Sequence, residues 1–134
     1  MADEEVTELQ PFERNSDEVA DLVAAGARLI DVRTAHEHEA ARLANSERIG
    51  LEELLDRKDE IGKDETVVFY CRVGNRSGMA AEAFSGAGFD VHNLSGGIVQ
   101  WIEDGQPIEP VNGYVAEPGE AAAILEAKAR AAGN

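Results

Sequence analysis

Thr66-Val67-Val68-Phe69-Tyr70-Cys71-Arg72-Val73-Gly74-Asn75-Arg76-Ser77 is the stretch on which the reading of this chain turns. Thr66–Tyr70 is a run of β-favouring residues between the polar Lys63-Asp64-Glu65 and a glycine-containing loop, the pattern of a buried strand. Beyond the loop, Ser77 to Phe84 reads as a helix closed by Gly86-Ala87-Gly88. A strand that passes through a short loop into a helix sets the loop at the carboxyl end of the strand, where open α/β sheets bind ligands. Cys71 begins that loop. The start of a helix offers unpaired N–H groups and partial positive charge, which stabilise a thiolate, and Arg72 and Arg76 add cations. Gly74 lets the backbone curl so that several N–H groups face one centre, a nest for an anion. A lone cysteine is often an inert core residue. Two arginines within five residues of it are poorly explained by core packing. Ser77 is expected to serve as a helix cap rather than a catalytic base.

Outward from this stretch the pattern alternates. Asn15-Ser16-Asp17-Glu18 has capping-box spacing and opens a helix whose Val19, Leu22 and Val23 share a face, with Gly26 as its stop. Arg28–Val32 reads as a short buried strand, and residues 34–50 as irregular around a short turn. Leu51, Leu54 and Leu55 mark a short helix. Phe89–His92 is a further strand. After the turn at Gly96-Gly97, Ile98, Trp101 and Ile102 line one face of a brief helix stopped by Gly105, and Pro107 and Pro110 bar its continuation. Trp101 is expected in the core. Val6–Leu9 suits a short edge strand. Pro118–Ala132 suits an alanine-rich helix with a thin apolar stripe, an appendage packed on the domain. Short strands alternating with helices define an α/β domain on a mainly parallel sheet.

The 134 residues suit one domain able to bury a core without disulfides or metals. One cysteine excludes an internal disulfide. No apolar run is long enough to span a membrane, and the N-terminus lacks the features of a signal peptide, so a cytoplasmic location is expected. With 27 acidic and 12 basic residues the formal net charge is -15. Such a surface repels nucleic acid and anionic lipid, so neither direct nucleic-acid binding nor membrane association is expected. An acidic excess this large also fits adaptation to high salt. His36, His38 and His92 are scattered and lack paired-cysteine spacing, so no metal is expected.

Four features together resemble the rhodanese family of single-domain sulfurtransferases. They are Leu29-Ile30-Asp31-Val32-Arg33 with Glu37-His38; Val67–Cys71; Cys71–Ser77; and Asn93-Leu94-Ser95-Gly96-Gly97-Ile98 with Trp101 and Gly105. The resemblance implies a three-layer α/β/α domain with a core over residues 15–108 and an extension at 109–134. It implies that Cys71 is a persulfide-forming nucleophile and that the backbone of residues 72–76 (Arg72, Val73, Gly74, Asn75, Arg76) cradles the donor anion and outer sulfur. Asp31 and Arg33 would support the loop, Glu37 would hold a neighbouring segment by a salt bridge, and Gly96 and Gly97 would form a close turn beside the site.

The partners implied are a small-molecule sulfur donor such as thiosulfate and a thiol or cyanide acceptor, with no organic cofactor. Alternatives are a persulfide relay between protein partners, in tRNA thiolation or cofactor assembly, and a non-catalytic binding module. Four residues separate Cys71 from Arg76, whereas related phosphatases of this fold have five, a wider cradle for a phosphoryl group. The chain departs from the family at Ala41-Arg42-Leu43-Ala44-Asn45-Ser46, where a Gly-His-Ile-Pro-Gly-Ala stretch is usual, and at His38, where an aromatic residue is common.

Overall fold

The computed structural model describes residues 10–120. Its elements in chain order are β1 (Glu13–Arg14), α1 (Ser16–Ala24), β2 (Arg28–Asp31), α2 (Ala35–Ala40), β3 (Arg42–Leu43) and β4 (Glu47–Arg48). Two single 3-10 turns, Leu51–Glu53 and Lys58–Glu60, lead to β5 (Thr66–Tyr70), α3 (Asn75–Gly86), β6 (Asp90–Leu94), α4 (Gly97–Glu103) and β7 (Ile108–Glu109). The main sheet is parallel throughout, in the order β1-β6-β5-β2-β4. The Val6–Leu9 strand lies outside the described residues, as does all but the start of the helix expected at 118–132.

The period of two along a strand sends alternate side chains to opposite faces. Val67 and Phe69 of β5 enter one core with Ile30, Val91 and the α3 residues Ala80, Ala81 and Phe84. Val68 and Tyr70 enter the other with Val19 of α1, Leu29, Leu94, and Ile98 and Trp101 of α4. Helices therefore cover both faces, giving the three-layer α/β/α arrangement. Because β5 is buried on both faces, its sequence is an unbroken apolar run. Phe69 is fully buried and meets Phe84 edge-to-face at 5.4 Å. Truncating Phe69 to alanine would cost about 3–5 kcal/mol through lost burial and the cavity left behind. Trp101 is core, its indole N–H donating to the Pro107 carbonyl at 2.8 Å.

Several elements differ from expectation. Residues 35–40 form a helix, because Thr34 and Glu37 make a capping box of the same kind as Asn15 and Glu18. The strand expected at Phe89–His92 runs from Asp90 to Leu94, set by its pairing with β5 and β1. Leu55 is 70% exposed and Ile102 37% exposed, so neither completes the apolar face assigned to it. The start of the 109–134 extension joins the domain. Ile108 and Glu109 pair antiparallel with Leu43 and Arg42, Ala116 is fully buried, and Val115 packs on the α1–α4 core. The altered 41–46 segment is thus partly consumed by β3. Arg42 takes its place there, reaching the His38 carbonyl at 3.3 Å and lying 3.8 Å from Glu109.

Candidate active site

β5 ends at Tyr70, and the chain turns through Cys71–Gly74 into α3. Gly74 occupies the cap position in the left-handed region (φ 101°), which ordinary side chains avoid. That conformation starts α3 at Asn75, two residues before Ser77. The curl aims two backbone donors at one atom. The Gly74 N–H lies 3.1 Å and the Ser77 N–H 3.4 Å from Cys71 Sγ. Cys71 itself is 1% exposed and borders the α3 core.

The first turn of α4 closes over the loop. The Ile98 N–H donates to the Cys71 carbonyl at 3.0 Å, and the Val99 N–H to the Arg72 carbonyl at 3.1 Å. A Cβ on Gly97 (φ 62°) would collide with both of those carbonyls, so the close approach requires glycine there. A Cβ on Gly74 would press on the Gly96 nitrogen at 3.1 Å. Gly96 and Gly97 therefore do form a tight turn against the loop.

Arg76 extends from α3 to Glu37 of α2 in a two-pronged contact, 3.1 and 2.9 Å. Glu37 is fully buried, and its carboxylate also accepts from the backbone N–H and hydroxyl of Thr34. Burial alone would raise the Glu37 pKa. The Arg76 and Thr34 contacts outweigh it and hold the carboxyl below its usual range. Glu37 in turn raises the Arg76 pKa. Arg72 reaches Glu117 of the extension at 3.0 Å, and its Nε is buried with no partner among the described residues.

Asp31 and Arg33 are fully buried and paired at 2.8 and 2.7 Å. They lie on the sheet face opposite Cys71, with Arg33 stacked 5.5 Å over Tyr70 and donating to the Ala41 carbonyl. His38 adds a contact from Nδ1 to Asp31 at 2.8 Å. Burial would raise the Asp31 pKa, but the His38 and Arg33 hydrogen bonds prevail and lower it. This pair fixes the exit of α2, the helix that carries Glu37.

Ser77 is not the helix cap that the sequence led one to expect, since Gly74 holds that place and Ser77 is the third helical residue. Its hydroxyl is buried 3.3 Å from Cys71 Sγ and 2.5 Å from Asn93 Oδ1. Asn93 and Glu13 were missed as part of the site. Asn93 Nδ2 faces the Glu13 carboxylate at 3.0 and 2.9 Å and the Gly74 carbonyl at 3.2 Å. The available signal was a polar residue at a position of β6 that points to the same face as Val91. Nothing in the local sequence marks Glu13.

A cysteine at the centre of a strand-to-helix cradle on a parallel α/β sheet defines a class of cysteine-loop domains, and comparison with known proteins narrows it. Residues 15–104 match the rhodanese-like domain, and the chain belongs to the rhodanese family. It is 37% identical over 81 residues to a sulfurtransferase of Allochromatium vinosum, across 60% of this chain and 76% of that one. It is 40% identical over 76 residues to the uncharacterized protein YqhL of Bacillus subtilis, across 56% of this chain and 60% of that relative's length. Among solved structures, a rhodanese-related protein of Thermoplasma volcanium superposes with a TM-score of 0.68 at 31% identity, over 72% of this chain and 95% of that one.

Proposed function

We propose that this domain is a sulfurtransferase that carries a sulfane sulfur on Cys71. The observation that supports it most is the convergence of the Gly74 and Ser77 N–H groups on one sulfur atom at the start of α3. In the first step the Cys71 thiolate attacks the outer sulfur of a donor such as thiosulfate. A sulfur–sulfur bond forms at Cys71, the donor's own breaks, and sulfite leaves with the electron pair. An acceptor, a thiol or cyanide, then attacks the terminal sulfur and restores the thiolate. The cradle N–H groups and the arginines offset charge at the sulfur and the leaving group. Arg76 and Arg72 are the cations of the loop, and Arg72 brings an Nε without a partner among the described residues.

One feature favours a protein-borne donor over a free dianion. Both loop arginines already hold carboxylates of this chain, Glu37 and Glu117, on a body with net charge -15. Val73 in the loop and Met79 one turn into α3 are exposed apolar residues, 43% and 59%, suited to a protein surface. The test is intact mass after incubation with thiosulfate or with a persulfide donor. The expected result is a gain of one sulfur atom, absent in Cys71→Ser. Loading by a persulfide but not by thiosulfate assigns the relay function. No adduct from either donor overturns sulfur transfer.

A further inference from the structure

The Glu13 carboxylate sits two hydrogen bonds away from the hydroxyl beside Cys71, and the donors and acceptors along that path admit one arrangement. The Glu13 carboxylate serves as an acceptor. It accepts from the Ser95 hydroxyl and from Asn93 Nδ2. The Gly74 carbonyl, also acceptor-only, faces the same Nδ2 at 3.2 Å. Two acceptor-only groups therefore fix the orientation of the Asn93 amide, and its Oδ1 must face Ser77. Ser77 has one hydroxyl proton. At 2.5 Å from Asn93 Oδ1, that proton goes to the amide oxygen. What Ser77 then turns toward Cys71 Sγ, 3.3 Å away, is a lone pair.

From this we infer that Glu13 is a positioning residue which, through Asn93 and Ser77, makes the Ser77 hydroxyl an acceptor and so opposes ionisation of Cys71 in the resting protein. Ionising Cys71 would require Ser77 either to face a thiolate with its lone pair or to turn away and strand the buried Asn93 Oδ1. Both carry a penalty in a site without solvent. The backbone N–H groups of Gly74 and Ser77 act the other way, since they donate to the sulfur in either state. The fold is built to accommodate this path. β1 carries Glu13 into place by pairing Glu13 with Asn93 in register.

Other charges bear on Cys71 too. Arg76 with its partner Glu37 of α2 and Arg72 with its partner Glu117 flank the loop. Asp31 and Arg33 neutralise one another across the sheet. Arg14 adjoins Glu13 on β1 and donates to its backbone carbonyl. These make a simple charge effect of Glu13 on Cys71 the competing explanation, and the test separates the two.

The experiment follows the thiolate of the lone cysteine by ultraviolet absorbance against pH, with Cys71→Ser as blank, in four proteins: wild type, Glu13→Gln, Ser77→Ala and the double variant. Glu13→Gln replaces an acceptor-only carboxylate with an amide whose N–H can donate to Asn93 Oδ1, so that only the Gly74 carbonyl still opposes turning over the Asn93 amide and Ser77 can donate to sulfur. The midpoint is expected to fall by about one pH unit, the scale of one hydrogen bond to a charged group. In the Ser77→Ala background the same Glu13→Gln change is expected to move it by less than about half as much, because the path is cut. An equal shift in both backgrounds overturns the path in favour of bare charge. Ser77→Ala alone supplies a second check, usable even where Glu13→Gln folds poorly. A Ser77 that accepts gives no rise in the midpoint on its removal, whereas a Ser77 that donates to the thiolate gives a rise and overturns the inference. No sulfur donor enters the measurement, so its result is independent of whether the domain transfers sulfur.

Discussion

At the carboxyl end of the sheet, Asp31, Arg33 and Glu37 are fully buried in ion pairs, and Arg33 also donates to the Ala41 carbonyl. At the amino end, Arg28 holds Glu47 and Glu65, and Arg57 holds Glu53 and Glu60, all at the surface. That end also contains a cavity of about 410 Å³ lined by Lys58, Asp59, Ile61, Lys63, Ala87 and Phe89, far from Cys71. The contrast separates two uses of charge. Burying an ion pair gains little stability over a packed apolar pair, but losing one partner is expensive because the other is left alone. Such pairs are therefore fit for holding geometry. Surface pairs are screened and entropically costly, and they add little to stability.

The sharpest way to break this comparison is Arg33→Met. It strands Asp31 in the core with only His38 and the backbone N–H of position 33 as partners, and a loss of about 3–5 kcal/mol is expected in urea unfolding. A loss under about 1 kcal/mol would put the two ends on the same footing. Arg76→Ala should act twice. It removes a cation from the loop and leaves Glu37 buried, so turnover with an anionic donor should fall at least about tenfold and stability by about 1–3 kcal/mol. Adding Glu37→Gln should restore the unfolding midpoint without restoring turnover. If turnover returns as well, Arg76 acts only through the fold.

The acid limb supplies the third comparison. Asp31 and Glu37 both have folded pKa values below their ordinary ones. Their contribution is therefore fully present above the unfolded values, near pH 4, and is lost as pH falls through the lower folded values. The thermal midpoint should hold down to about pH 5 and then drop, and in Glu37→Gln the drop should be shallower. An identical acid limb in that variant would show that Glu37 carries none of it. The smallest effect is expected at the other end: Arg57→Ala, which removes only surface ion pairs, should leave the unfolding midpoint within experimental error.

The sheet and its central loop were legible because their signals are local. Thr66–Tyr70 is continuous in β propensity, and Cys71, Gly74 and Arg76 are fixed by a turn of six residues. The first helix was legible from Asn15 and Glu18. The second was not, although Thr34 and Glu37 carry the same signal, because Ala-His-Glu-His-Glu-Ala shows no apolar stripe. Its stability comes from Glu37 meeting Arg76, thirty-nine residues away. The part played by Asp31 and Arg33 was read as support, and the sequence could not tell that they support α2 from the face opposite Cys71. Glu13 and Asn93 meet across eighty residues, a contact created by β1 adding to the sheet edge beside β6. Register between distant strands has no local code, so this part of the site became visible only in the assembled sheet.

The hydrogen bonds from Ile98 and Val99 to the carbonyls of Cys71 and Arg72 have a consequence for how visitors reach the sulfur. They bind the loop to a helix that is itself pinned by Trp101 in the core. The cradle is thereby tied to α4 as one unit. In amide exchange, Ile98 and Val99 should open together with the α4 helix and not with any separate motion of the loop. On the proposed function, a donor or acceptor of sulfur at Cys71 would have to fit a cradle tied to α4, so shape at the mouth would do the sorting that a moving lid performs elsewhere.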